Sequence, residues 1–146
     1  MHKIRLVGLL LLSVYLLAAC GLPKALTTEQ VVGSIPNDTP ASEVIDAPDN
    51  ATVNQPIKLT INTYGSSSCT TPDGTQVEVN GLTATITPLD RVPRPDSNVA
   101  CTADLAARPH SVEVTFAEAG DAVIRVIGAG GEGVQTIKEQ RITVTQ

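Results

Sequence analysis

Val112-Glu113-Val114-Thr115-Phe116-Ala117-Glu118-Ala119-Gly120-Asp121-Ala122-Val123-Ile124-Arg125-Val126 is the stretch that decides the fold class of this chain. Val112, Val114 and Phe116 alternate with Ser111, Glu113 and Thr115. After the turn residues Ala119-Gly120-Asp121, Ala122, Ile124 and Val126 alternate with Val123, Arg125 and Ile127. A period of two places every second side chain on one face of an extended strand. The run therefore predicts two strands with apolar inward faces, joined by a glycine turn.

The same period recurs on both sides. Ile57, Leu59 and Ile61 alternate with Lys58, Thr60 and Asn62 until Gly65-Ser66-Ser67-Ser68 breaks the strand. Val77-Glu78-Val79-Asn80-Gly81-Leu82-Thr83-Ala84 reads as a hairpin with Asn-Gly in a two-residue type I′ turn. Such a turn pairs Val79 with Leu82 and Val77 with Ala84, on one face with Ile86. Ile137 to Val144 forms a last strand with Ile142 and Val144 inward, and Val44-Ile45 is a candidate first edge strand. No segment carries a convincing helical period. The pattern predicts an all-β chain, an antiparallel β-sandwich of about seven strands over residues 44–146.

Upstream the composition changes twice. Residues 20–43 carry Pro23, Pro36 and Pro40 among small polar residues, which predicts a flexible tether. Residues 1–19 open with His2, Lys3 and Arg5 and continue as an apolar run from Leu6 to Leu17. That run is shorter than the ~20 residues a permanent spanning helix needs. It ends in Leu17-Ala18-Ala19-Cys20. The arrangement resembles the signal peptide and lipobox of bacterial lipoproteins. The resemblance implies cleavage between Ala19 and Cys20, a diacylglyceryl group on the Cys20 thiol and an acylated new N-terminus. Two or more chains anchor a protein stably where one does not. Gly21, in the place where Asp commonly retains such proteins in the inner membrane, points to the outer membrane of a two-membrane cell.

Removal of residues 1–19 from the 146 leaves 127, enough for one domain. The ten basic residues fall to eight against 15 acidic ones, a formal −7. No basic run survives, so nucleic acid is not an expected partner, and attachment to the membrane falls to the lipid chains on Cys20. Only Tyr64 and Phe116 remain as aromatics, too few for a stacking surface. With Cys20 lipidated, Cys69 and Cys101 remain, and in an oxidising envelope they are expected to form a structural disulfide.

The run from Val112 to Val126, together with Ala51 to Ile61, also resembles the strands and corner of bacterial immunoglobulin-like domains. That resemblance implies an immunoglobulin-like sandwich. The chain departs from it at Ala122, where a corner tyrosine is common, in having no core Trp, and in placing both cysteines in loops.

Candidate sites are sparse. Gly128-Ala129-Gly130-Gly131-Glu132-Gly133 has dinucleotide-loop spacing, but a strand follows where a helix is required, so it reads as a hairpin loop. His110, the sole histidine after residue 19, reads as a polar residue at a strand entrance. Asp46-Ala47-Pro48-Asp49-Asn50 suits an Asx-rich turn, or calcium through its oxygens. Ser66 to Ser68 lack an assigned base, although Lys58 stands on the neighbouring strand. No cofactor, catalytic group or metal ligand set is expected. The loops expected to meet a partner are 65–74, 88–109 and 128–136, with Ser66, Ser67, Asp73, Arg91, Arg94, Gly130 and Glu132 as candidate contact residues. The chain thus reads as a lipid-anchored, non-enzymatic binding or structural module of the cell envelope with an envelope protein as partner. The alternative is an anchored inhibitor of an envelope-attacking lysozyme or protease.

Overall fold

The structure is a computed structural model and describes residues 27–146. The expected signal stretch, the expected cleavage between Ala19 and Cys20, and the first part of the expected tether lie outside the described residues. The elements are β1 (Thr28–Val32), a one-turn helix α1 (Ala41–Val44), β2 (Ile45–Asp46), β3 (Asn50–Thr52), β4 (Pro56–Tyr64), β5 (Thr71–Asn80), β6 (Thr83–Pro93), β7 (Ala107–Thr115), β8 (Gly120–Ala129) and β9 (Gln135–Thr145). They form two sheets. One runs β2-β4-β7; the other runs β1-β6-β8-β9-β3, with β5 on the far edge of β6.

The alternation seen in the sequence is what fills the space between the sheets. Leu59, Ile61, Val112, Val114 and Phe116 from one sheet meet Ala84, Ile86, Ala122, Ile124, Val126, Ile142 and Val144 from the other, all nearly inaccessible to water. The chain is therefore an all-β sandwich. It has nine strands among the described residues rather than seven, and two of its pairings, β6 with β8 and β3 with β9, are parallel.

Two boundaries differ from the expectation. The hairpin of β5 and β6 pairs Val79 with Ala84 and Val77 with Ile86, a shift of two residues from the register that an Asn-Gly turn sets. The two turn residues are Gly81 and Leu82, and φ is positive at Gly81 alone (57°). This is the place where a type II′ turn takes glycine. The shift keeps the valines on their face and frees Leu82 to pack against the end of the core.

The second difference concerns the tether. From Thr28 onward, residues 28–43 belong to the domain. Strand β6 forks: Thr83–Ile86 pairs with β8, while Leu89–Pro93 pairs with β1. The chain leaving β1 fills the fork. Gly33 N–H donates to Pro88 O, Ala129 N–H to Gly33 O, and Ile35 N–H to Ala129 O. Ile35 is fully buried there, and a Cβ on Gly128 would come within 2.5 Å of its Cδ1. The segment carries no period of its own because its ladder is supplied by β6 and β8, strands more than 50 residues away. Ile35→Ala is accordingly expected to cost about 2–5 kcal/mol, read as a lower denaturant midpoint with an unchanged slope. A midpoint equal to that of the parent would return this segment to the status of a tether.

Candidate functional site

Strands β4, β6 and β8 all run towards the same end of the sandwich. Tyr64 N–H donates to Ser34 O, and Ser34 bridges to Ala129, which brings the ends of β4 and β8 together. Three loops gather at that end: residues 65–70, 94–106 and 130–134. These are shorter than the loops expected at 65–74, 88–109 and 128–136, because β5, β6, β7, β8 and β9 extend into them.

The first two loops are fastened to each other. Cys69 and Cys101 form a disulfide with their Cα atoms 5.7 Å apart. Beside it, Ser68 N–H donates to Thr102 O (3.0 Å), Thr102 N–H to Ser68 Oγ (3.2 Å) and Asp104 N–H to Ser66 O (3.4 Å). Arg108, in the first turn of register of β7, closes the arrangement. Its Nε donates to Thr70 O at 2.8 Å, and its Nη2 to Ser67 O at 3.2 Å and to Asp104 Oδ2 at 2.6 Å. With Nη1 donating to Ala106 O at 3.3 Å, one planar guanidinium thus holds four points on two loops, a task suited to its fixed fork of donors.

The Arg108 guanidinium, aided by the Ala106 N–H, holds the Asp104 carboxyl below its ordinary range. A carboxyl depressed in the folded state stabilises it above the ordinary aspartate value of 3.8 and loses that effect as pH falls through the lowered value. The clamp is therefore expected to release at acid pH. Amide hydrogen exchange at Ser68, Thr102 and Asp104, taken relative to the intrinsic rate at each pH, should rise below that pH in the parent. In Asp104→Asn it should already be raised at neutral pH; identical profiles in the two proteins would contradict this.

Beneath the loops lies a buried polar cluster. Thr63, Asp90 and His110 sit at core-facing positions of β4, β6 and β7, each almost wholly inaccessible. Thr63 Oγ1 donates to Asp90 Oδ2 at 2.8 Å, and His110 Nε2 lies 3.1 Å from Asp90 Oδ1 and 3.2 Å from Thr63 Oγ1. His110 Nδ1 lies 3.1 Å from Gly74 O. Among the described residues no buried side-chain nitrogen or oxygen lacks a partner. The residue types resemble a hydrolytic triad, but the geometry does not. In a triad the acid and the nucleophile occupy opposite ring nitrogens. Here Thr63 and Asp90 share Nε2, and a backbone carbonyl faces the other nitrogen. The arrangement ties β4, β6, β7 and the start of β5 together. His110 is thus interior to its strand and not the polar residue at a strand entrance that its place after Pro109 predicts.

The candidate contact residues divide between these surroundings. Ser66 lines a shallow cleft of about 170 Å³ with Val31, Val32, Ser34, Tyr64 and Asp90. Ser67 is engaged through its carbonyl by Arg108. Asp73 and Arg91 are strand residues, not loop residues: Arg91 Nη2 donates to Asp73 Oδ2 at 2.7 Å, and Gln30 Nε2 donates to the same oxygen at 2.9 Å. The Arg91 hydrogen bond holds the Asp73 carboxyl below its ordinary range. Arg94 pairs with Asp96 at the start of loop 94–106. Gly130 is packed between Thr136 and Asn37, where a Cβ would come within 2.5 Å of Thr136 Oγ1. Glu132 stands exposed at the hairpin tip with φ 58°. Lys58 faces Glu113 at 3.8 Å, near the other end of β4 from Ser66. Among the described residues no group of three His, Cys, Asp or Glu could hold a metal ion, and no helix is long and apolar enough to cross a membrane.

Thr63, Asp90, His110 and Arg108 escaped the sequence reading as site residues. A signal for the first three exists. Thr63 keeps step with Leu59 and Ile61, Asp90 with Ala84 and Ile86, and His110 with Val112 and Val114, so alternation places all three inward.

Compared with known proteins, the chain matches no family model, no curated protein and no solved structure.

Proposed function

We propose that this chain is a lipid-anchored protein of the bacterial cell envelope whose β-sandwich acts as a non-enzymatic binding or structural module. The observation that carries the reading is Leu17-Ala18-Ala19-Cys20 at the close of the N-terminal apolar run. The fastened loop end supports it, since loops held in place lose little freedom when they meet a surface. The burial of His110 supports the non-enzymatic part, because both ring nitrogens of the sole histidine after residue 19 are engaged inside the domain, out of reach of a bound substrate.

The test is expression of the full chain in a bacterial host fed an alkyne-tagged fatty acid. The parent is expected to take up the tag and to sediment with membranes. Cys20→Ser is expected to do neither. A parent that remains untagged and in the soluble fraction overturns the reading. No observation favours an anchored enzyme inhibitor over it.

A further inference from the structure

The chain enters the sandwich at its loop end. Thr27 O accepts the Arg94 N–H at 2.9 Å, so the incoming segment meets the first residue of loop 94–106. The C-terminal residues lie at the opposite end, where Thr145 pairs beside Thr52 and Asn54 N–H donates to Phe116 O. Seven Cα steps separate Cys20 from Thr27, and even fully extended they reach only about 25 Å.

The loop end also carries exposed apolar side chains. Leu105 is 79% exposed, Val134 60% and Val99 46%. Leu105 precedes β7 and Val134 precedes β9, so the end face offers one apolar side chain over each sheet. Among the described residues, no exposed large apolar side chain lies in the turns at the opposite end. Single exposed apolar residues need no explanation, and Val32, Val77, Val79 and Ile137 are such residues on strands; among the described residues, however, the loops that carry exposed large apolar side chains all lie at the end where the chain enters. Charge does not account for the face: Arg94 pairs with Asp96, Arg108 with Asp104, and Glu132 adds a negative group.

We propose that this end of the sandwich rests on the bilayer that holds Cys20, with Leu105 and Val134 inserted at the headgroup boundary and the C-terminal end turned away. The proposal rests on the lipid-anchor reading above. A short link confines the domain near the surface, so its loops need only a weak affinity of their own to stay there. The contact is apolar and is expected to be insensitive to salt.

The test uses the full lipidated chain in vesicles of phosphatidylethanolamine and phosphatidylglycerol containing a doxyl-labelled quencher lipid. A bimane fluorophore is placed in turn at Leu105→Cys, Val134→Cys and Ala117→Cys, the last at the opposite end. Cys69 and Cys101 are paired and Cys20 is acylated, so only the introduced thiol reacts. Quenching at positions 105 and 134 is expected to exceed that at 117 by roughly twofold or more, and to persist in high salt. Equal, weak quenching at all three positions, with the protein still on the vesicles, overturns the proposal and leaves the anchor reading standing. Unlipidated protein in the supernatant overturns both. Self-quenching between labelled copies in vesicles without doxyl lipid would assign the face to a second copy and also overturns it.

Discussion

Asp90→Ala is expected to destabilise the domain by about 3–5 kcal/mol and to lower Tm by about 10–20 °C. Asp90 is 1% exposed and is the common partner of two other buried polar groups. Without its carboxylate, His110 Nε2 has only the Thr63 hydroxyl beside it. Thr63 keeps only His110 Nε2 at 3.2 Å and the Arg108 carbonyl at 3.4 Å. The carboxylate is the acceptor the other two groups share, so its loss leaves much of their desolvation cost uncompensated. The double replacement Asp90→Leu with His110→Leu removes both polar partners and is expected to lose much less than the sum of the two single changes. Thermal melts of the four proteins measure this coupling directly. Additive losses, or a loss below about 1 kcal/mol for Asp90→Ala, would show that the cluster does not act as a unit.

Reduction of Cys69–Cys101 has the next largest expected effect. The bridge spans 32 positions of sequence. Releasing a crosslink over a loop of that size returns entropy to the unfolded chain worth roughly 3–4 kcal/mol, or about 10–15 °C in Tm for a domain of this size. The sandwich itself is expected to stay folded, because neither cysteine contributes to the core. Arg108 still clasps Thr70, Ser67 and Asp104 in the reduced protein, so loops 65–70 and 94–106 should loosen without separating. Cys69→Ser with Cys101→Ser, compared with the parent by calorimetry, measures the loss. Equal melting temperatures would mean that the clamp and the neighbouring hydrogen bonds hold the loops unaided.

Much of the core was legible because its signal is local. Val112, Val114, Phe116, Ala122, Ile124, Val126, Ile142 and Val144 are inward in the sequence pattern and buried in the fold. Cys69 and Cys101 were legible for another reason: only two cysteines remain once Cys20 is set aside, and they are joined. The hairpin at Gly81 was half legible. Its face assignment holds, because a two-residue shift preserves the parity of alternation. Its register was set by Leu82, which gains burial when Gly81 and Leu82, not Asn80 and Gly81, form the turn. The loop end was legible only as a set of separate polar stretches. Ser66, Arg94 and Glu132 lie in three loops, and nothing in their local sequence shows that β4, β6 and β8 carry those loops to one end.

Alternation of apolar and polar residues therefore established the strands, their inward faces and the all-β class, since a strand's two faces are set by adjacent residues on the same chain. Tertiary structure decided what required distant partners. It made a strand of Thr28–Val32 by lending it the edge of β6, and buried Ile35 in the fork against Gly128. It also turned Thr63, Asp90 and His110 from three isolated inward polar residues into one satisfied cluster. Backbone and side-chain polar groups can be buried only where another segment supplies the missing donor or acceptor, and that segment is chosen by the packing of the whole sandwich.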